Sequence, residues 1–168
     1  MTEIAAPVKG TQPEGARTEA EASQKVREMF TQIAPRYDLL NHVLSLQLDR
    51  LWRARVARIL SPVLQRADAM VLDLCCGTGD LALSLARAGS AQLIGADFAH
   101  PMLVQANSKS GGKIKFLEAD ALRLPFAEQS FDVVTAAFGF RNLANYEEGL
   151  REMLRVLKPG GTLGILEF

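Results

Sequence analysis

The stretch VLDLCCGTGD, residues 71–80, decides the fold class of this chain. It begins with an apolar run that holds a single acid, Asp73, and it continues into the turn Gly77-Thr78-Gly79. Glycine lets the backbone turn tightly and lets a ligand approach without a side chain in the way. A helical segment starts at residue 80, so its free backbone amides would face that ligand. The stretch therefore predicts a strand, a ligand-binding loop and a helix.

Short runs rich in Val, Leu and Ile alternate with helical segments through the rest of the chain. The predicted strands are residues 69–75, 91–97, 113–120, 131–138 and 161–168, and the predicted helices are residues 80–89, 101–109 and 145–157. This alternation indicates an α/β fold, a parallel sheet with helices on both faces. Ligands bind such sheets at the carboxyl ends of the strands, so the residues that follow each strand are the candidates for a site.

The N-terminal third has a different character. Residues 1–22 are rich in Pro, Gly, Glu, Ala and Thr without an apolar period, which predicts a flexible tail. Residues 23–62 predict amphipathic helices, and residues 63–168 predict the ligand-binding α/β domain. The arginines of the second helix are interpreted as a solvated face; they are Arg50, Arg53 and Arg58.

The composition excludes several classes of function. The chain has 168 residues, enough for one domain, and its 19 Lys and Arg balance 19 Asp and Glu. There is thus no overall field that favours nucleic acid. No apolar run is long enough to span a bilayer, and the N-terminus does not resemble a secretory signal. These features predict a cytoplasmic protein, with at most transient contact with the inner face of the membrane.

The only two cysteines, Cys75 and Cys76, are adjacent. Zinc sites usually space their cysteines and add a second pair, so this dipeptide predicts no metal site. We interpret both cysteines as small reduced residues beside a tight turn.

Acids lie at the carboxyl ends of three of the predicted strands, at Asp73, Asp97 and Asp120. Asp97 lies 20 residues after Gly77, where a carboxylate suits the hydroxyls of a ribose, although it also suits a helix N-cap. Residues 77–82 match the G-x-G-x-x-G/A pattern of nicotinamide-dinucleotide enzymes. A carboxylate beside the loop disfavours a pyrophosphate and favours a cationic nucleoside such as S-adenosylmethionine. On spacing alone both nucleotide classes remain open.

Five segments together carry a family resemblance. They are MFTQIAPRYDLLNHVLSLQLDRLWR (29–53), VLDLCCGTGDLA (71–82), ADALRLPF (119–126), FGFRN (138–142) and RVLKPGG…LEF (155–168). The second resembles the first motif of class I S-adenosylmethionine-dependent methyltransferases. The whole set, over residues 25–168, resembles the ubiquinone/menaquinone-biosynthesis C-methyltransferases. The resemblance implies a Rossmann-like sheet, S-adenosyl-L-methionine as cofactor, and these cofactor-binding residues: Asp73, Gly77, Thr78, Gly79, Asp97, Asp120, Ala121 and Ala137.

The resemblance also implies a reaction, the C-methylation of a prenylated hydroquinone ring. The acceptor would be demethylmenaquinol, the ubiquinol precursor, or both. Arg141 and Asn142 of FGFRN are the implied catalytic residues, with Tyr37 and its neighbour Asp38 on helices that cover the cofactor. A structural alternative for Arg141 is an ion pair with a glutamate of the following helix.

Three features depart from the family pattern. Ala137 stands where some members have a serine, and Gln47 stands where many have a glycine. The chain also stops at Phe168, the end of the fifth predicted strand, whereas the family continues with a helix and two further strands. We therefore expect a fragment whose fifth strand is an exposed edge, and which is unstable, self-associating as a homodimer, or inactive. A non-catalytic domain that only binds the cofactor is the remaining alternative.

Overall fold

The computed structural model of the chain describes residues 9–34, 37 and 48–167. The positions Asp38 and Gln47, which the family pattern singles out, lie outside these residues. The helices and strands are α1 (Glu19–Ile33), α2 (Leu48–Ile59), α3 (Ser61–Leu64), β1 (Met70–Leu74), α4 (Asp80–Arg87), β2 (Gln92–Asp97), α5 (His100–Ser110), β3 (Lys115–Glu118), β4 (Phe131–Ala137), a 3₁₀ turn (Phe140–Asn142), α6 (Tyr146–Val156) and β5 (Leu157–Leu166).

The five strands form one parallel sheet in the order β3-β2-β1-β4-β5. This confirms the predicted α/β class and its Rossmann-like sheet. Strand β1 lies at the centre, where Asp73 pairs with Gly95 of β2 on one side and with Thr135 of β4 on the other. Central strands of a parallel sheet are buried on both faces, which is why β1 and β4 read as nearly continuous apolar runs.

The core has two layers, one on each face of the sheet. Leu72 and Leu74 point toward α6 and pack in one cluster, while Val71 points to the opposite face and packs with α4. The alternation follows from the two-residue period of a strand. Asp73 has the same parity as Val71, so its carboxyl lies on the α4 face.

The chain reverses its winding direction at β1, because β2 and β4 lie on opposite sides of it. Such a switch point opens a crevice at the carboxyl ends of the two strands. The loops after β1, β2, β3 and β4 all meet there, so the topology alone places the candidate residues together.

The N-terminal segment differs from the predicted tail. Helix α1 begins at Glu19, because the hydroxyl of Thr18 accepts from the amide of Glu21 and caps the helix. Upstream of the helix, the Thr11 N–H donates to the carbonyl of Leu143 at 2.8 Å. Ala16 and Ala22 are buried beside Ala144. Small side chains permit this close contact. The composition of residues 1–22, from which the flexible tail was predicted, does not reveal it.

Strand β5 also differs, because it begins at Leu157 and includes residues 158–160, which the sequence placed between the last predicted helix and the last predicted strand. The register shifts between Phe131↔Leu157 and Val133↔Thr162, so these residues form a bulge rather than a separate connection. Beyond the bulge, β5 pairs with β4 through Leu166. None of the helices in the described parts of the chain has the length and apolar character that crossing a membrane requires.

Candidate functional site

A cavity lies at the carboxyl ends of β1, β2 and β4, under the end of α1. Seven of the residues predicted for the site line it: Tyr37, Gly77, Asp97, Asp120, Ala121, Ala137 and Asn142. The loops that follow four different strands thus converge on one space. This is the arrangement expected of a ligand site at a topological switch point.

The loop after β1 has an unusual backbone. Gly77 and Gly79 have φ of 54° and 81°, and Cys75 also has a positive φ of 53°. A side chain at Gly79 would come within 3.1 Å of both Ala106 and Phe116, so packing as well as backbone conformation requires glycine there. The loop therefore turns closely over the end of the strand.

The carboxylate of Asp97 links the loops that follow β1 and β2 by hydrogen bonds. Its Oδ2 accepts from the Gly77 amide at 2.9 Å, and its Oδ1 accepts from the Ala99 amide at 2.9 Å. The side chain lines the cavity although the residue is only 7% exposed. Burial raises the pKa of this carboxyl, while the backbone amides oppose that shift. Each oxygen keeps further acceptor capacity, which a ligand hydroxyl can use.

Asp73 lies behind the loop and is not one of the residues that line the cavity. Its Oδ1 accepts from the hydroxyl of Thr135 at 2.8 Å, and its Oδ2 is buried without a hydrogen-bond partner in the described structure. Burial raises the pKa of Asp73 to about 7, and the Thr135 hydrogen bond only partly offsets this. The nearby charge of Asp97 raises the same pKa further. Two carboxyls in one buried region favour a cation.

The third acid, Asp120, shapes the loop after β3. Its Oδ1 accepts from the Leu122 amide at 2.9 Å. Phe98, which sequence reasoning missed, follows Asp97 and lines the cavity together with Asp120 and Ala121. An aromatic ring in a cavity that also contains carboxylates suits a flat heterocycle. Its position directly after a strand-end acid is a signal that could have identified it.

Helix α1 covers one side of the cavity. Phe30 and Tyr37 are in edge-to-face contact with ring centroids 5.9 Å apart, and Phe30 lies 6.4 Å from Phe98. The amide of Gln105 donates to the carbonyl of Ala34 at 2.8 Å, which ties the end of α1 to α5. The cover is therefore aromatic on its inner side and anchored at its end.

The FGFRN segment follows β4, and its two candidate catalytic residues differ. Asn142 lines the cavity, and its amide donates to the carbonyl of Phe138 at 3.4 Å. The side chain of Arg141 is half-exposed, and its Nε lies 3.7 Å from Oε2 of Glu167. The Arg141 amide also donates to Oε1 of Glu167 at 3.1 Å. The glutamate paired with Arg141 thus belongs to the end of β5, not to the following helix.

Glu167 is the second residue that sequence reasoning missed. It follows the fifth strand, and the rule that located the other acids applies to it equally. Its Oε2 is buried and accepts no hydrogen bond in the described part of the chain. Glu167 therefore contacts both the backbone amide and the guanidinium group of Arg141.

Two of the predicted site residues, Thr78 and Gly79, belong to the loop after β1 but do not line the cavity. Thr78 is buried, and its hydroxyl accepts from Lys109 at 3.0 Å. Lys109 also bonds Asp80 at 2.5 Å, which ties α5 to the start of α4. Gly79 is the N-cap of α4 and contacts α5 rather than the cavity.

The cysteines fit the role of compact turn residues. Burial raises the pKa of both the Cys75 and the Cys76 thiol well above its usual value. A thiolate is therefore disfavoured at both positions. The Cβ of Cys75 lies where a side chain on Gly139 would meet it, at 2.4 Å, so the ends of β1 and β4 touch there.

Comparison with protein families matches residues 18–168 to the model described as the ubiE/COQ5 methyltransferase family. The chain belongs to this family. It is 55% identical over 144 residues to the demethylmenaquinone methyltransferase of Thermus thermophilus, covering 83% of this chain and 64% of the relative. The corresponding Deinococcus radiodurans protein is 54% identical over 86% of this chain and 61% of the relative.

A further relative is the ubiquinone/menaquinone biosynthesis C-methyltransferase UbiE of Geobacter sulfurreducens. It is 43% identical over 88% of this chain and 59% of its own length. The chain thus spans about three fifths of the length of these curated relatives.

Solved structures agree with the fold. The [4+2]-cyclase SpnF superposes with a TM-score of 0.70 at 28% identity, over 85% of this chain and 59% of that one. A putative methyltransferase in complex with the Haloferax volcanii Trm112 activator gives a TM-score of 0.67 at 28% identity. The match covers 80% of this chain and 57% of that one. Because proteins of this fold carry different names, the function must be argued from the site.

Proposed function

We propose that the cavity binds S-adenosylmethionine and that the chain takes part in methylating the ring carbon of a prenylated quinol. The observation that carries the proposal is the carboxylate of Asp97, buried at a strand end and held by the amides of Gly77 and Ala99. A fixed acceptor with two oxygens matches the two hydroxyls of a ribose.

The rest of the cavity supports the same ligand. Phe98, Asp120 and Ala121 offer an aromatic face and polar groups for a base. Asp97 in the cavity wall, with Asp73 close behind the loop, favours a ligand with positive charge over one with a pyrophosphate. These residues fit S-adenosylmethionine, whose sulfonium supplies an electrophilic methyl group when bound.

The acceptor is proposed from the relatives. Two relatives that are more than 50% identical to this chain are named demethylmenaquinone methyltransferases, so demethylmenaquinol is the proposed acceptor. The Geobacter relative, whose name includes ubiquinone, makes the ubiquinol precursor a second candidate. We place methyl transfer in the cytoplasm, with transient contact at the membrane where such lipids reside.

Residues of the FGFRN segment would activate the acceptor ring. A ring carbon becomes a better nucleophile when the neighbouring hydroxyl loses its proton, and the oxygen then carries negative charge. The guanidinium of Arg141 can stabilise that charge but cannot accept the proton itself. We assign to Asn142 the orientation of a water that accepts it, and to Tyr37 the closing of the cavity over the reactants.

Titration calorimetry with S-adenosylhomocysteine tests the cofactor proposal, with NAD as the parallel ligand. We expect saturable binding of the homocysteine nucleoside and none of NAD. Asp97→Ala should weaken binding about a hundredfold, because two charge-assisted hydrogen bonds are each worth roughly 1.5 kcal/mol. Asp68→Ala, at an exposed acid away from the cavity, is the matched control.

The other outcomes have definite meanings. Binding of NAD alone would replace the proposal with a dinucleotide-dependent function. Nucleoside binding that survives Asp97→Ala would remove the observation on which the proposal rests. Methyl transfer is then assayed with demethylmenaquinol and with the ubiquinol precursor, and a bound donor that methylates neither would overturn the acceptor assignment.

A further inference from the structure

Helix α2 carries an exposed face that combines apolar and cationic side chains. Leu48 and Leu51 are 44% and 66% exposed, and Arg55 and Arg58 are exposed beside them. These four residues follow a spacing of three, four and three, so they form one stripe along the outside of the helix. We call this stripe the α2 outer face.

Helix α2 has a net positive charge, although the whole chain is neutral. Helix α2 contains four arginines and a single acid, Asp49, which is buried and paired with Arg53. Arg53 also lies 3.5 Å from Asp80. In the described part of the chain, neither Arg55 nor Arg58 has an acidic partner. The α2 outer face is therefore cationic as well as apolar.

Helix α6 provides a contrast. Leu154 is 59% exposed there, nearly as much as Leu51 on α2. The charges around it are compensated, since Arg151 pairs with Glu148 and Arg155 pairs with Glu152. An exposed leucine by itself is ordinary. What distinguishes α2 is that its exposed leucines share a stripe with Arg55 and Arg58, neither of which pairs with an acid in the described part of the chain.

We propose that the α2 outer face docks on an anionic lipid surface. A stripe of leucines and arginines matches such a surface, because the apolar side chains enter the acyl boundary while the guanidinium groups remain with the phosphate headgroups. A nucleic acid would use the arginines but would leave the leucines exposed to water. The charge complementarity therefore favours lipid.

A different side of helix α2 adjoins the cavity. Trp52 of α2 contacts Phe138 with ring centroids 6.0 Å apart, and Phe138 lines the cavity wall. A chain docked through α2 would thus hold its site close to the bilayer. The inference deepens the proposed function, because a prenylated acceptor resides in lipid, but lipid binding itself does not depend on methyl transfer.

The test is sedimentation of the chain with vesicles, in the absence of donor and acceptor. We expect binding to phosphatidylcholine vesicles that contain phosphatidylglycerol, little binding to phosphatidylcholine alone, and loss of binding at high salt. Arg55→Gln and Arg58→Gln should each weaken binding about fivefold. Leu51→Gln should weaken it about tenfold, because part of a leucine side chain no longer leaves water.

The controls separate docking from general surface chemistry. Leu154→Gln should leave vesicle binding unchanged, and Arg55→Lys should retain it because the charge is kept. Equal binding to both vesicle types, or equal loss in the two leucine variants, would overturn the proposal. So would a Leu51→Gln variant that converts a dimer to a monomer without altering vesicle binding, since the face would then be a contact between copies.

Failure of this inference is distinguishable from failure of the proposed function. Asp97→Ala should weaken nucleoside binding about a hundredfold and leave vesicle binding intact, whereas the α2 variants should weaken vesicle binding and leave nucleoside binding intact. A chain that binds the nucleoside but no vesicle would overturn the docking surface alone.

Discussion

The two sides of the cavity are built differently. On the side formed by the ends of β1, β2 and β3, the two acids that line the cavity accept from backbone amides, Asp97 from Gly77 and Ala99 and Asp120 from Leu122. On the side formed by the ends of β4 and β5, the polar side chains are held by a partly exposed ion pair and a long hydrogen bond. Arg141 is half-exposed and is oriented by Glu167, and Asn142 makes a 3.4 Å hydrogen bond within its own turn.

The difference indicates a division of tasks. Groups held by backbone amides cannot move without disturbing the sheet, so the first side suits a ligand of constant shape, such as a nucleoside. Side chains held by longer and partly exposed contacts can adjust to an acceptor and to a change of charge during a reaction. Preorganisation of the first side and adaptability of the second are therefore properties that mutations should separate.

The largest expected effect concerns Asp73, the most buried acid of the first side. Its pKa of about 7 lies above that of an unfolded aspartate, so folding favours the protonated form. Its contribution to stability is full below about pH 4 and is lost as the pH rises through about 7. The total is on the order of 4 kcal/mol, with a slope of up to about 1.4 kcal/mol per pH unit.

Asp73→Asn should remove this slope, because asparagine resembles the protonated carboxyl. Urea unfolding of both proteins between pH 4 and 8 would measure it as the pH dependence of their difference in unfolding free energy. Asp68→Asn is the control with opposite sign, since Arg66 lowers the pKa of Asp68. A difference that does not vary with pH would show that Asp73 is ionised throughout.

The second prediction concerns the contact where the two sides meet. Gly139→Ala would place a Cβ 2.4 Å from the Cβ of Cys75, so we expect a loss of about 1–3 kcal/mol of stability. Gly164→Ala meets only an ordinary 3.5 Å contact with Thr135 and should cost nothing measurable. Thermal or urea unfolding compares the two variants, and equal stabilities would mean that the two strand ends are not in firm contact.

The smallest effect is expected at Glu167. Its ion pair with Arg141 is partly exposed, so Glu167→Gln should change stability by less than about 1 kcal/mol. Binding of S-adenosylhomocysteine should be unchanged, whereas methyl transfer, where it is measured, should fall because Arg141 is no longer held. A marked loss of nucleoside binding would show that the two sides are coupled, which contradicts the division drawn above.

Much of the site could be predicted because the apolar run of each strand shows in the sequence where that strand ends. The apolar run before Asp73 and the run before Asp97 both identify a carboxyl end, and a parallel sheet brings such ends together. The pairing of Thr135 with Asp73 could not be predicted in this way. It depends on the register between β1 and β4, which a single sequence does not encode locally.

Local chemistry by itself determined the parallel sheet, the glycine loop after β1 and the acids at the carboxyl ends of β1, β2 and β3, because period, turn residues and apolar runs act over a few neighbouring positions. Only the tertiary structure decided which partners those acids have, that Arg141 is held by Glu167, and that Asp73 lies behind the loop rather than in the cavity. Burial and hydrogen bonding between distant segments depend on register and packing, which arise when the whole chain folds.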